Sequence, residues 1–117
     1  MTKLYHREVF APEKLFGKLH GRALVLEFSS HARQACRNDR YGFIIPPTHL
    51  VVNQQDIIEV EENDGQVEKV VIRLPYSRNN QFDLVLAVKP DGFVKTVWLN
   101  ERKDAHKTLD VSRYQRA

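Results

Sequence analysis

At 117 residues, 42% hydrophobic and 28% charged, the chain has the composition of a soluble globular protein large enough to bury a core without metal or disulfide staples. Its longest apolar runs, such as Ala23-Leu24-Val25-Leu26, are too short to cross a membrane, and no charged start leads into the apolar block of a secretory leader. The single cysteine, Cys36, can form neither an internal disulfide nor a cysteine metal site, so the expected compartment is cytoplasmic, with no membrane partner.

The net charge of +3 is unevenly spread. Residues 1–55 carry eight Lys/Arg against four Asp/Glu, residues 56–94 four against eight, and residues 95–117 six against three. Basic ends around an acidic middle suit a protein with one face that attracts polyanions.

In chain order, Leu4 to Phe10 reads as an edge strand or an extended arm. Pro12 opens a short helix expected to run through His20, weakened by Gly17. Arg22 to Phe28 alternates as a strand, with Leu24, Leu26 and Phe28 on one face. Ser29 and Ser30 then supply an N-cap, because a serine oxygen can accept a free first-turn N–H. The helix that follows, His31 to Arg40, buries Ala32, Ala35 and Cys36, and Gly42 is its expected stop. Pro46-Pro47 marks a connector. Thr48 is a cap for one or two further helical turns reaching Asn53.

Two hairpins follow. Asp56 to Glu62 and Gln66 to Leu74 flank Asn63-Asp64-Gly65, and Phe82 to Lys89 and Phe93 to Leu99 flank Pro90-Asp91-Gly92. The order β–α–β–α–β–β–β–β predicts a single α+β domain. Its antiparallel sheet would have four to five strands, with one or two N-terminal helices packed on one face. Residues 1–20 would form an N-terminal arm and residues 101–117 a basic C-terminal tail.

On the last strand, strict alternation puts Phe93, Lys95, Val97 and Leu99 on a core face. Val94, Thr96, Trp98 and Asn100 then share the other, which presents a hydroxyl, an indole and an amide side by side. That is an unusual surface for a good strand, and it is a candidate site floor.

His31 opens the helix with arginines downstream. It is either a surface histidine or a general acid/base whose neutral form the neighbouring cations favour. Arg37 and Arg40, neighbours at i,i+3, are either a solvated face or a pair of guanidiniums that bind phosphate. Thr96 is a β-former or a hydrogen bond to a phosphate oxygen. Trp98 is packing under a helix or a platform for a nucleobase. The five histidines are scattered and none pairs at i,i+4 with another ligand, so no metal or cofactor is expected.

Together, FSSHARQACRNDR, the glutamate-rich hairpin and DLVLAVKPDGFVKTVWLN resemble the small RelE-like toxin scaffold. That scaffold belongs to the metal-independent ribonucleases related to barnase, EndoU and the tRNA-cutting colicins. The resemblance covers about residues 24–100. It rests on a histidine and an arginine on or after a helix, and on a Thr two residues before an aromatic on a late strand. It implies RNA cleavage by 2′-hydroxyl attack, with His31, Thr96 and Arg37 or Arg40 catalytic. Trp98, Lys103, Lys107 and Arg113 would then hold nucleic acid. The aromatic is often tyrosine in relatives, and Trp98 can stack but cannot give up a hydroxyl proton; the stretch bearing His106 and Tyr114 either replaces that function or simply ties the tail to the sheet. Members of the scaffold that bind proteins suggest the alternative, a non-catalytic protein that modulates a host protein or nucleic acid. An inhibitory protein partner is compatible with either.

Overall fold

The computed structural model describes residues 11–17 and 19–103 in full and the backbone of residues 2–5 and 115–116. The elements run β1 (Thr2–Tyr5), α1 (Pro12–Leu15), β2 (Leu19–His20), β3 (Ala23–Val25), β4 (Glu27–Phe28), α2 (Ser30–Asn38) and β5 (His49–Val51). They continue as β6 (Ile57–Asn63), β7 (Gln66–Pro75), β8 (Phe82–Val88), β9 (Phe93–Glu101) and β10 (Gln115–Arg116). The class is α+β, as expected, but the sheet is larger and mixed. Seven strands in the order β10-β1-β6-β7-β8-β9-β4 form one sheet, and β2-β3-β5 form a second. The pairs β1/β10 and β4/β9 are parallel, and every other pair is antiparallel.

The two hairpins are local products of their turns. Asn63 pairs with Gln66, leaving a two-residue loop in which Asp64 and Gly65 both have positive φ, the primed turn whose twist matches its strands. In the β8–β9 turn, Gly92 takes φ +93° while its N–H donates to the Lys89 carbonyl at 2.9 Å. These hairpins set the register Leu84↔Leu99 and Leu86↔Val97, which points the four side chains to one face.

That face, with Val60, Val70, Ile72 and Val88, is covered by Ala32 and Cys36 of α2 and by Leu24 and Leu50 of the small sheet. Each fully buried aliphatic side chain contributes roughly 1.5–3 kcal/mol. The opposite face carries a smaller cluster of Val71, Val85 and Ala87, with Ile58 and Trp98 against it.

Four local expectations are corrected. Helix α1 stops at Leu15 instead of reaching His20, since the Phe16 N–H closes the last turn on the Pro12 carbonyl and the backbone then extends. The strand expected at 22–28 is broken at Leu26, whose N–H donates to the Thr48 carbonyl at 2.9 Å. β3 therefore joins the small sheet and β4 the large one, yet Leu24, Leu26 and Phe28 all remain core residues. The turns expected from Thr48 to Asn53 are instead strand β5 and its exit, with Leu50 and Val52 buried. β-branched residues there lose less in a strand than in a helix.

The fourth correction bears on the site. The register slips between Ala87 and Val88, so that Val88 faces Val94 and Ala87 faces Thr96. Lys95 is the extra residue of this bulge and is exposed. Val94 thereby joins Val97 and Leu99 in the core, while Thr96 and Trp98 stay on the far face opposite Ala87 and Val85.

Candidate functional site

Strand β4 covers the edge of β9 only at Phe93 and Val94. Beyond that point the edge belongs to α2, which is tied to it at both ends by side chains. Ser29 caps the helix by accepting the Ala32 N–H at 3.0 Å, and the same hydroxyl donates to the Lys95 carbonyl at 3.3 Å. At the other end, Asp39 Oδ1 accepts the Leu99 N–H at 3.1 Å and Oδ2 accepts the Tyr41 N–H at 3.0 Å. The second bond is an Asx turn, and it ends the helix at Asn38. Since the Leu99 N–H points to the open edge, the period of two sends the Val97 N–H and C=O there as well.

Between the two tethers lies a cleft of about 310 Å³ lined by Ala35, Asn38, Asp39, Arg40 and the β9 residues Val97, Trp98 and Leu99. Two of the expected site residues, Arg40 and Trp98, are thus brought together from opposite ends of the sequence. Arg40 is not on α2, contrary to the expected helix end, because Asp39 has already left helical geometry. Its guanidinium stacks 4.7 Å above the Tyr41 ring and donates to the Tyr41 hydroxyl, which in turn donates to Glu101 Oε1 at 3.2 Å. That hydrogen bond is the main cause holding the exposed Arg40 firmly in its charged form.

His31 is exposed in the first turn of α2. At 100° per residue it falls on the same stripe as Ala35 and Asn38, within an arc of about 60°. It therefore lies one turn along the helix on the stripe that bears two of the cleft's lining residues, and does not itself line the cleft. Among the described residues no hydrogen bond joins His31 to the half-buried Thr96. Arg37 is about 120° around the helix from His31 and does not line the cleft, so the expected Arg37–Arg40 pair is not formed there. The Trp98 ring packs on the Val71/Val85/Ala87 cluster, and its Nε1 is buried without a hydrogen-bond partner among the described residues. Lys103 is exposed, with Nζ 3.7 Å from Glu101 Oε2. Lys107, Arg113, His106 and Tyr114 lie outside the described residues.

Reading by residue type missed Asp39, Tyr41 and Phe82. Asp39 had a signal, an Asx residue closing a helix two positions before an aromatic. Phe82, whose ring lies 4.8 Å from that of Tyr41, had none beyond its place at a strand end. Cys36 is buried, and that burial, followed by the nearby Asp39 charge, pushes its thiol above the ordinary value, which is the opposite of an activated nucleophile. Among the described residues no three His, Cys, Asp or Glu side chains gather as a metal site, and no helix is long and apolar enough to cross a membrane. Compared with protein-family models, curated proteins and solved structures, the chain matches none.

Proposed function

We propose that the chain is an RNA-cleaving protein of the metal-independent type, working in the cleft between α2 and the edge of β9. The observation that carries the reading is the meeting of Arg40 and Trp98 in one cleft, beneath the helix stripe that bears His31. In this reading the His31 imidazole takes the proton of the 2′-hydroxyl. The 2′-oxygen attacks the adjacent phosphorus, and the bond to the 5′-oxygen breaks. The His31 imidazolium returns the proton to that oxygen, directly or through water, leaving a 2′,3′-cyclic phosphate on one product and a 5′-hydroxyl on the other. Arg40 stabilises the charge that gathers on the phosphoryl oxygens, aided by the Val97 N–H at the cleft floor. The exposed part of Trp98 lies against a base, and Thr96, which does not line this cleft, has no part in the step.

The test is incubation of pure protein with total RNA in EDTA, beside His31→Ala and Arg40→Gln. Cleavage that depends on both residues and yields cyclic phosphate ends supports the proposal. Intact RNA at high protein concentration, or equal cleavage by all three proteins, overturns it.

A second reading has its own support. Because Trp98 is packed on one side and Arg40 is already held by Tyr41, the same cleft suits recognition without chemistry. The protein would then be a non-catalytic binder of a host protein or nucleic acid, its acidic β6–β7 hairpin (Asp64 and Glu68 exposed) facing a basic partner. Tight binding of RNA without any cleavage, or binding of a basic protein lost on Asp64→Lys with Glu68→Lys, favours this reading.

A further inference from the structure

The Arg40 cleft does not end at Arg40. The Tyr41 ring beneath that guanidinium leans on Phe82 at 38°, and its hydroxyl reaches Glu101. Phe82 and Glu101 form part of the wall of a second, larger cleft of about 680 Å³, which Gln81, Arg102 and Lys103 also line. Tyr41 thus touches lining residues of two cavities, Arg40 of the first and Phe82 and Glu101 of the second, each cavity with an aromatic ring and a cation. In the second cavity Lys103 is the exposed cation, its side chain 83% open to solvent. Arg102 is held in place by its Nε bond to Asp83 at 2.9 Å and its bond to the Phe82 carbonyl at 3.1 Å. The Glu101 carboxylate lines the same space, where the Tyr41 hydroxyl donates to it and the Lys103 ammonium, 3.7 Å away, offsets its charge.

Resting on the RNA reading above, we infer that this second cavity is a nucleotide subsite for single-stranded RNA. It takes the nucleotide next to the one in the Arg40 cleft. The Phe82 ring receives the base, the Gln81 amide meets its polar edge, and Lys103 binds the intervening phosphate. A single strand is required because aromatic side chains can only reach base faces that a duplex keeps stacked. A phosphate bound by a lysine displaces counterions, so the subsite carries a salt signature that packing alone does not.

The test uses His31→Ala protein to avoid turnover and a fluorescent single-stranded hexaribonucleotide, titrated over a range of salt concentrations. Adding Lys103→Gln should weaken hexamer binding and flatten the slope of log affinity against log salt by about one. Binding of a 3′-phosphorylated mononucleotide, which needs only the first cleft, should stay the same. Tyr41→Phe, which keeps the ring but frees Arg40 and Glu101, should weaken both ligands. A duplex of the same sequence should bind more weakly than the single strand. If the hexamer binds and Lys103→Gln leaves its affinity and salt slope unchanged, the subsite is refuted while the first cleft stands. If neither ligand binds wild type or His31→Ala, the RNA reading fails and the subsite with it.

Discussion

Asp39 ties the helix to the sheet, and its removal has a calculable cost. Its half-buried carboxylate accepts two backbone N–H groups, from Tyr41 at 3.0 Å and from Leu99, sixty residues away, at 3.1 Å. Hydrogen bonds to a charged acceptor contribute roughly 1.5–3 kcal/mol each, and an N–H left unpartnered on a buried strand residue costs about 1–3 kcal/mol. These terms overlap, since solvent can reach the Tyr41 N–H but not readily that of Leu99. Asp39→Ala should therefore destabilise by about 2–4 kcal/mol. For 117 residues the unfolding entropy is on the order of 0.25 kcal/mol/K, so Tm should fall by about 8–16 °C. Asp39→Asn keeps one acceptor oxygen but sets its amide N–H₂ against the other donor, so it should fall between wild type and Asp39→Ala. Thermal melts followed by circular dichroism give the shift, and hydrogen exchange locates it. The Leu99 amide should lose protection in Asp39→Ala while the Leu86 amide, inside the sheet, does not. A Tm change under about 2 °C with Leu99 still protected would show that Ala32 and Cys36 packing alone holds the helix to the edge.

Three further outcomes follow from other contacts. Gly92→Ala should be far more harmful than Gly65→Ala: both glycines have positive φ, but only at Gly92 would a Cβ collide with the Val25 carbonyl oxygen, whereas at Gly65 it meets open space. Denaturant midpoints should put Gly65→Ala at about 1 kcal/mol, the left-handed strain alone, and Gly92→Ala well beyond it. Asp83→Asn should cost about 3–5 kcal/mol in urea unfolding, because Arg73 Nε at 2.8 Å and Arg102 Nε at 2.9 Å share that buried carboxylate; Arg102→Lys, altering the more exposed partner, should cost much less. Cys36 should resist a disulfide reagent at neutral pH in the native state and react quickly in urea. Its thiol is raised, so stability is fully present below the unfolded thiol's ordinary value and declines as pH rises from there through the native one; a flat alkaline profile would contradict the burial that raises it.

What could be read from the sequence was what neighbouring residues decide among themselves. Asp64-Gly65 and Pro90-Asp91-Gly92 fix their turns within four residues, and both hairpins stand where the pattern placed them. Ser29 caps α2 through a bond three residues long. The misses were decided at a distance. Leu26 leaves β3 because Thr48 accepts its N–H, and Glu27 starts β4 because the Gly92 carbonyl accepts the next one at 3.1 Å. No periodicity within 22–28 carries that information. The Lys95 bulge is equally silent in a run of alternating residues, yet it decides that Val94 is core while Thr96 and Trp98 keep the far face that alternation gave them. Arg40 was recognised for its charge, but on the wrong element, since the Asp39 carboxylate that ends the helix through its Tyr41 bond is also held by a strand sixty residues later.

The early end of β4 explains why there is a cleft at all. A sheet edge with free N–H and C=O groups invites pairing with another chain, and proteins commonly shield such an edge with a strand or a helix. Strand β4 does so for two residues and stops, because at Ser29 the chain turns into α2. A helix cannot supply the missing ladder bonds, since its own backbone groups are bonded internally. Only its two ends, where serine and aspartate side chains reach out, can satisfy the edge. Between them the helix presents Ala35, too short to fill the gap to Val97. Backbone polar groups at Val97 are therefore left facing a small cavity rimmed by a guanidinium and an indole. Extending β4 by two residues would close this opening; ending it at Phe28 leaves the recess open at Val97.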